Sequence, residues 1–446
     1  MTMKAGAAKV NITPPLGIKM FGYFEERVAR DIHDDLYAKS FVLDDGETKL
    51  AIIVCDLIGV SRQYLDRAKA LINERCGIPP SNVLISCTHT HTGPLIEDMD
   101  YGDMLTQRIA DSVQVANNRL VEAELGCERG EEPMPLANRR YIMKDGTVWT
   151  NPGTHNPDIV RPAGPVDPEI GVLCARDLNG KTICLLANYA MHYAGLSPTK
   201  KGEDMYTISA DYFGVFSKMI QRMKGEKFVT ILANGTCGDI GWNAMNPPKG
   251  VNKYLGHAER VAALVASKAL WAWNQMEFHS SLKLRAAMEE LTIPRRMPTQ
   301  DEVDLSRKFM SGEATPKTMA HYALKYFFGP KIKEFQSAPR EAKTWVQVLA
   351  IEDLVATVGL PGEVFVEHGL RIKKESPFKY TLIFELANDG WPNIGYVPTL
   401  RAFEDAGAME TSGSYETTVG VNMLCPEAGD IMVASALRML SELYKS

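Results

Sequence analysis

Apolar runs of strand length alternate with helix-like segments through the first half of this chain, and this alternation constrains its fold most. Residues 49–57 form a nearly continuous apolar run, which predicts a buried strand. A helical pattern follows from Ser61, a typical N-cap residue, to about Cys76. Residues 83–87 predict the next strand, and residues 104–124 predict the next helix. The pattern predicts an α/β (α+β mixed) fold with mixed β-sheets flanked by helices.

The rest of the chain continues this pattern around two unusual sections. Further strands are predicted at 170–176, 182–189, 227–232, 346–351, 354–360 and 380–386, and further helices from about 210 and over 254–273, 364–374 and 428–444. Section 131–168, rich in Pro, Gly and Asn, predicts a long excursion with few regular elements, and such loops are often functional. The segment 299–335 is helical, charged and Met-bearing, which predicts a cap or insertion at about 300–335. We expect one domain over 1–446.

Composition excludes several classes of protein. A chain of 446 residues buries a large core, while a net charge of −6 without a Lys/Arg-rich run argues against a nucleic-acid surface. No apolar stretch is long enough to span a bilayer, and the N-terminus lacks the apolar core of a signal peptide. The eight cysteines contain no CxxC pair and are expected to be free thiols. We therefore expect a cytoplasmic protein.

The block Ser86–Pro94 carries two of the nine histidines directly after the predicted strand 83–87. At strand spacing, His89 and His91 project from the same face, so we expect them to point together into one cleft. Paired imidazoles at such a position are typical of a transition-metal ligand with a catalytic neighbour. The alternative is a pair of polar residues at a solvated strand end, because a short His motif is weak evidence alone.

A third histidine and an acidic residue occupy comparable positions. His192 follows the apolar run 183–186 and so repeats the context of His89. Glu363 follows a predicted strand and a Pro-Gly turn, at or just inside a helix N-terminus. The alternatives are a structural histidine beside two tyrosines and a first-turn acid that complements the helix dipole.

Three loops could add to such a site. The Gly-rich loop 232–243 permits close backbone approach to a ligand, but without a Walker lysine or GxGxxG spacing it does not indicate a nucleotide. Loop 388–398 packs turn formers around Trp391 and Tyr396, which could equally pin the loop to the core. Arg139 in the irregular section could hold a carboxylate, stabilise an oxyanion or be a solvated charge.

Together these segments resemble the neutral/alkaline non-lysosomal ceramidase superfamily, in the right order through nearly the whole chain. The matching segments are the opening 5–15 (Ala-Gly-Ala-Ala-Lys-Val-Asn-Ile-Thr-Pro-Pro), Cys55-Asp56, the block His89–Pro94, Asn138-Arg139 with Asn151-Pro152, and Pro361-Gly362-Glu363. The resemblance implies the family's catalytic domain and its single zinc ion.

By resemblance, one Zn²⁺ per chain is held by four residues: His89, His192, Glu363 and Tyr396. The tyrosine match is the loosest, and Tyr415 is its competitor. Two imidazoles, a carboxylate and a phenolic oxygen leave room for an activated water. Catalytic candidates are His91 as a proton-transfer or oxyanion group, Arg139, Asp239 and Tyr396. Substrate-binding candidates are Asn234, Gly238, Gly241 and Trp242.

One departure from the family bears on the mechanism. The family's nucleophile is the serine of a G-D-V-S-P-N motif, whereas Gly241 stands at that position in the corresponding run 238–243. The family's secretion signal and C-terminal β-sandwich are not found in this sequence either. We therefore expect a divergent member that lacks the serine nucleophile and the C-terminal β-sandwich.

Three functional hypotheses follow. The first is a zinc-dependent hydrolase that cleaves an amide bond, with an ester or lactone as alternatives. In it the metal lowers the pKa of bound water from its very high ordinary value toward ~7, so that water could attack the carbonyl directly. The second is a covalent hydrolase that uses Cys237 or Thr236. The third is a non-catalytic binding protein that retains the fold.

The expected partner is a small molecule, such as a partly apolar N-acyl compound, because the Met-bearing cap tolerates irregular apolar ligands. Oligomerisation is left open.

Overall fold

An eight-stranded sheet and a four-stranded sheet organise this protein. The computed structural model describes residues 2–96, 99–194, 204–225, 228–241, 255–391 and 393–445, so the predicted site residue Trp242 lies outside the described residues. The strands are β1 Lys4–Asn11, β2 Lys19–Met20, β3 Arg27–Val28, β4 Asp31–Ile32, β5 Tyr37–Asp44, β6 Lys49–Cys55, β7 Val83–Cys87, β8 Val121–Glu131, β9 Ala137–Asn138, β10 Arg140–Met143, β11 Val148–Thr150, β12 Ile159–Pro162, β13 Glu169–Asp177, β14 Thr182–Tyr189, β15 Thr207–Ile208, β16 Val229–Asn234, β17 Ile240–Gly241, β18 Leu284–Pro294, β19 Glu341–Ile351, β20 Val355–Gly359, β21 Glu363–Val364, β22 Tyr380–Phe384 and β23 Tyr396–Val397. The helices are α1 Arg62–Cys76, α2 Met99–Asn118, α3 Asp211–Lys224, α4 Leu255–Gln275, α5 Gln300–Ser311, α6 Met319–Ala323, α7 Ile332–Ser337, α8 Val366–Glu375, α9 Leu400–Glu404 and α10 Ala428–Lys445.

Both sheets mix strand directions. The large sheet has the order β16-β14-β13-β8-β1-β5-β6-β7, in which the pairs at its two ends, β14–β16 and β6–β7, are parallel. The small sheet has the order β18-β19-β20-β22, in which β20–β22 is parallel. Parallel neighbours end at the same edge of a sheet, so the loops that follow them lie side by side.

The two sheets pack face to face between two layers of helices. Side chains of the large sheet and the small sheet interleave in one apolar cluster that includes Phe41, Ile52, Leu186, Leu349 and Phe384. The outer face of the large sheet is covered by α1 and α2 at one end and by α3 and α4 at the other. Helices α8 and α10 cover the outer face of the small sheet. Because most strands are buried on both faces, they have the near-continuous apolar runs that the sequence shows.

The large sheet curls until its two edge strands approach each other. Asn234, at the end of β16, donates from Nδ2 to the carbonyl of Thr88, just beyond β7, at 3.3 Å. The amide of Asn388, which follows β22, donates to the carbonyl of Ile85 at 2.8 Å. The carboxyl ends of β7, β16 and β22 therefore meet in one place.

The predicted fold class is confirmed, with three local differences. The predicted helix 104–124 ends at Asn118, and the chain turns into β8, since pairing with β1 and β13 overrides the helix propensity of its Glu and Ala residues. The section 131–168 contains the short strands β9 to β12. Glu363 lies in the two-residue strand β21, three residues before α8, and not at the N-terminus of that helix.

The segment expected to form a cap is helical in the structure. It contains α5, α6, a π-helical turn at Leu324–Phe328 and α7. Capping of α5 is complete, because the side chain of Thr299 accepts from the Glu302 amide and the Glu302 side chain accepts from the Thr299 amide. None of the helices in the described part of the chain has the length and apolar character that a membrane crossing requires.

Candidate active site

Three imidazoles converge where the strand ends meet. His89 and His91 follow β7, and His192 follows β14 by three residues. His89 adopts a φ of 66°, which turns the chain sharply after the strand and directs its ring inward. Ring centroids are 4.9 Å apart for His89 and His91, 4.5 Å for His89 and His192, and 4.9 Å for His91 and His192. The three histidines form a group of suitable geometry for a metal ion.

Main-chain carbonyls fix the outward-facing nitrogen of two of these rings. His89 donates from Nδ1 to the carbonyl of Ile58 at 2.8 Å, and His91 donates from Nδ1 to the carbonyl of Gly22 at 2.7 Å. A carbonyl only accepts, so in each neutral ring Nε2 is the nitrogen that carries a lone pair. Metal-binding histidines are commonly oriented in this way.

Glu363 reaches the same point from the small sheet. Its Oε2 atom is 3.2 Å from His89 Nε2 and 3.6 Å from His192 Nδ1. This oxygen is buried and has no hydrogen-bond partner among the described residues. The Nε2 lone pair of a neutral His89 would therefore face a carboxylate oxygen, while His91 Nε2 and His192 Nε2 lie 2.9 Å apart. Arg139 donates to His192 Nδ1, so a neutral His192 donates from Nε2 to His91 Nε2. The contact left unrelieved is that between His89 Nε2 and Glu363. A cation would relieve it, so this donor set fits a metal ion such as zinc.

Tyr396 is brought beside this group by strand pairing. Strands β21 and β23 pair in parallel, with Glu363 opposite Tyr396. The rings of Tyr396 and Tyr415 pack edge to face with centroids 5.5 Å apart, so both tyrosines lie at the site. Burial opposes a charge on Glu363, but His89, helped by a hydrogen bond from the Tyr396 hydroxyl, outweighs it and lowers the pKa of Glu363.

Burial and neighbouring charges set the protonation of the imidazoles. Burial, with the added repulsion of His89, holds the pKa of His91 well below its ordinary value. Burial and the Arg139 charge do the same to the pKa of His192. Burial also opposes a charge on His89, but the Glu363 carboxylate outweighs it and raises the pKa of His89. His91 and His192 are therefore neutral at pH 7, which is the form that binds metals.

A buried ion pair between Arg139 and Glu416 lies next to His192. Arg139 donates from Nε to Glu416 Oε1 at 2.8 Å, from Nη1 to His192 Nδ1 at 3.2 Å and from Nη2 to the Gly238 carbonyl at 2.7 Å. Glu416 is fully buried and also accepts from the hydroxyl of Thr150 at 2.6 Å. The sequence analysis singled out Arg139 and Tyr415 but missed Glu416. The feature that could have indicated Glu416 is its position as an acidic residue in a polar run, next to the candidate ligand Tyr415.

Two cavities meet at the imidazoles. The first, of about 570 Å³, is mostly apolar, and its lining includes Phe21, Ile58, Leu95, Ile96, Leu386 and Trp391. The second, of about 420 Å³, also has a lining that is more apolar than polar, but it contains Arg139, Asn151, Thr154 and His192, together with Gly241, and is called the polar chamber for these groups. His91, Phe327, Tyr396 and Tyr415 contribute to both. A molecule at the imidazoles thus has an apolar chamber on one side and a polar chamber on the other.

Comparisons with known proteins identify the family of this chain. Residues 3–250, more than half of the chain, match the family model described as neutral/alkaline non-lysosomal ceramidase, N-terminal. The chain belongs to this family. A neutral ceramidase of Pseudomonas aeruginosa is 25% identical over an alignment of 266 residues that covers 53% of this chain and 37% of that protein. The matched region thus spans little more than a third of that relative's length.

Solved structures show the same fold over the whole chain. The crystal structure of neutral ceramidase from Pseudomonas aeruginosa superposes with a TM-score of 0.76 at 19% identity, covering 100% of this chain and 75% of that one. A structure titled as ceramidase complexed with C2 gives a TM-score of 0.75 at 18% identity, covering 100% and 76%. These likenesses establish the ceramidase fold, while the site is defined by the residues described above.

The Gly-rich loop of this ceramidase-family chain has one described residue at a cavity, and the others are buried. Gly241 lines the polar chamber, at the position where the resemblance expects the serine nucleophile. Gly238 makes a close backbone approach, but to Glu363, since a Cβ on Gly238 would lie 2.5 Å from the Glu363 carbonyl oxygen. Asn234 is fully buried and ties together the chain segments after β7 and β14. Substrate contacts by Asn234 and Gly238 remain predictions.

The structure disfavours a covalent role for Cys237 or Thr236. The Cys237 thiol is fully buried and donates to Glu385 Oε1 at 2.8 Å. Burial, reinforced by Glu385, raises the pKa of this thiol well above its ordinary value, whereas a nucleophilic cysteine needs a lowered one. Thr236 packs against Gly369 of α8, where a Cβ would lie 2.1 Å from the threonine hydroxyl.

Two acidic residues next to this loop hold main-chain groups. Asp239 accepts from the Val366 amide at 2.9 Å and from Asn138 Nδ2 at 2.7 Å, and burial raises its pKa to about 6. Glu385 accepts from the amides of Cys237 and Val364, each at 3.0 Å. Asp239 thus braces the start of α8, and its predicted role as a proton shuttle stays a prediction. Glu385, at the end of a buried strand, was missed from sequence.

Proposed function

We propose that this protein is a zinc-dependent hydrolase that cleaves an amide bond of a small, partly apolar N-acyl compound, with an ester or lactone as the alternative bond. The observation that carries the proposal is the convergence of His89, His192 and Glu363, with the buried Glu363 Oε2 atom left without a hydrogen bond, at the junction of an apolar and a polar chamber. Tyr396 completes the proposed ligand set, and His91 is the proposed catalytic neighbour. When bound, zinc polarises a carbonyl oxygen and makes water a nucleophile at neutral pH.

The chain's own groups divide the remaining work. His91, neutral and with its Nδ1 proton held by Gly22, accepts a proton at Nε2 and returns it to the leaving group. Arg139 remains charged and, with the hydroxyl of Tyr396, stabilises negative charge on the substrate oxygen. The acyl arm would occupy the apolar chamber and the leaving group the polar chamber beside Gly241.

Architecture and location complete the proposal. We propose one ceramidase-like domain over 1–446 whose cap, at about 300–335, closes the apolar chamber; Phe327 and Lys331 of this segment line that chamber. Eight unpaired cysteines, seven of them buried, support a cytoplasmic location. A small-molecule partner fits the two chambers.

Metal analysis of the purified full-length chain tests the proposal, combined with turnover on a panel of N-acyl amides, esters and lactones. We expect one zinc per chain. His89→Ala should lose both zinc and turnover. His91→Ala should keep zinc, while its turnover falls roughly 10²–10⁴-fold. The exposed His33→Ala is the matched control. Absence of zinc, or full zinc content in both His89→Ala and His192→Ala, contradicts the proposed metal centre.

Gly241 is the observation that favours a second candidate, a binding protein that retained the fold without the family's serine. The same experiment separates the two. Bound zinc without turnover on any member of the panel supports binding alone, whereas hydrolysis that depends on His91 supports the enzyme.

A further inference from the structure

Arg27 is a buried cation directly behind His91. Its side chain is 1% exposed, and the described part of the chain offers it no ion pair. It donates from Nη1 to the Met205 carbonyl at 2.9 Å and from Nη2 to the carbonyls of Phe21 and His91 at 2.6 and 2.7 Å. The guanidinium carbon lies 4.1 Å from the ring centroid of Tyr23. Burying a charge without a carboxylate is costly, so carbonyl groups and an aromatic face must compensate for it.

The hairpin of β2 and β3 contains Arg27, and the loop between its strands lies against the His91 ring. The Gly22 carbonyl accepts the Nδ1 proton of His91 at 2.7 Å, and the Tyr23 ring packs edge to face with the imidazole at 5.8 Å. Gly22 has a φ of 106°, and a Cβ there would lie 2.7 Å from His91 Nδ1. Only glycine combines this backbone conformation with this approach.

We infer that Arg27 and the Gly22 carbonyl are positioning groups that hold His91 in the tautomer whose Nε2 atom faces the other imidazoles. Arg27 binds the chain on both sides of the contact, at Phe21 and at His91 itself, and thus fixes the carbonyl and the ring relative to each other. The consequence for proton transfer rests on the proposed function, but the orientation of His91 does not.

Nitrogen NMR of the full chain labelled with ¹⁵N-histidine tests this inference, because long-range correlations distinguish Nδ1–H from Nε2–H imidazoles. We expect one Nδ1–H tautomer for His91 in the unchanged protein, identified by its loss in His91→Ala. In Gly22→Ala and Arg27→Met we expect a mixture of tautomers, with partial recovery in Arg27→Lys. Where turnover is measurable, kcat should fall roughly 10²-fold with little change in KM.

Two matched controls separate orientation from general strain. Gly17 has a φ of 89° with nothing within 4 Å, so Gly17→Ala strains the backbone without reaching His91. Arg30 stacks on Tyr206 at 4.3 Å but is exposed, so Arg30→Met removes a similar cation–π contact from the same segment. Both controls should retain the Nδ1–H signal of His91.

An unchanged single tautomer in folded Gly22→Ala and Arg27→Met overturns the inference. If circular dichroism shows that Arg27→Met does not fold, Gly22→Ala and Arg27→Lys decide the question. Absence of zinc or of hydrolysis would overturn the proposed function. It would not affect the inference about His91, which the tautomer measurement tests separately.

Discussion

Single residues of this site derive their chemistry from partners that are remote in sequence. Arg139 and Glu416 are 277 positions apart, yet they form the buried pair that supports His192. Sequence singled out His89, His91 and His192 because each follows an apolar run, a feature visible in a short window. Glu416 has no such local signal, since its importance depends on burial and on Arg139, which only the folded chain provides.

At this scale we predict that Glu416→Gln lowers the free energy of unfolding by about 3 kcal/mol, because it removes the carboxylate that pairs with the buried Arg139 and Arg140. Urea denaturation measures the change. Glu367→Gln is the matched control, since Glu367 pairs with the half-exposed Arg401 at 2.9 Å and should cost less than about 1 kcal/mol. Equal losses in the two variants would contradict a special role for the buried pair.

At the scale of elements, strand ends and the turns after them position the site. Strands β7, β14 and β20 were predicted within a few residues, and each is followed by a proposed ligand. The short pair β21–β23 was not predicted, because two-residue strands have no periodicity and depend on a partner. That pair sets Glu363 opposite Tyr396 and moves the carboxylate from a helix terminus into a strand.

The Pro-Gly turn before Glu363 is therefore expected to be sensitive. Gly362 has a φ of 76°, and a Cβ there would lie 2.5 Å from the Gly395 carbonyl oxygen. Gly362→Ala should lower the free energy of unfolding by about 2–4 kcal/mol and weaken zinc binding, as measured by urea denaturation and zinc titration.

Gly312→Ala provides the matched control for this turn. Gly312 has a φ of 83° at the end of α5 with nothing within 4 Å, so its substitution adds backbone strain alone, about 1 kcal/mol. Zinc binding unchanged in Gly362→Ala would show that the turn does not position Glu363.

At the scale of the whole molecule, the packing of two sheets buries acidic groups between them. Glu385 directly follows β22 and accepts from the amides of Cys237, after β16, and Val364, in β21, and burial raises its pKa to about 8. The folded chain therefore holds a proton between pH 4.5 and 8 that the unfolded chain has released. The stabilisation from this group is complete below pH 4.5 and is lost as the pH rises toward 8.

We accordingly predict that Glu385→Gln flattens the pH dependence of stability between pH 4.5 and 8. The difference in slope from the unchanged protein should approach, at most, ~1.4 kcal/mol per pH unit. Denaturation at a series of pH values measures it, and exposed Glu131→Gln should leave the slope unchanged. Identical slopes for the chain and for Glu385→Gln would show that this carboxyl is ionised in the folded state.

The sequence by itself determined the mixed α/β class, most strands, the histidine pair and the family, because these depend on periodicity and short motifs. Only the tertiary structure decided which groups face one another: Glu363 across from Tyr396, Glu416 behind Arg139, and Arg27 with Gly22 around His91. It also showed that Cys237 is buried away from both chambers. The physical reason is that burial and close pairing between distant segments change the pKa, orientation and access of a side chain, and no local window of sequence contains them.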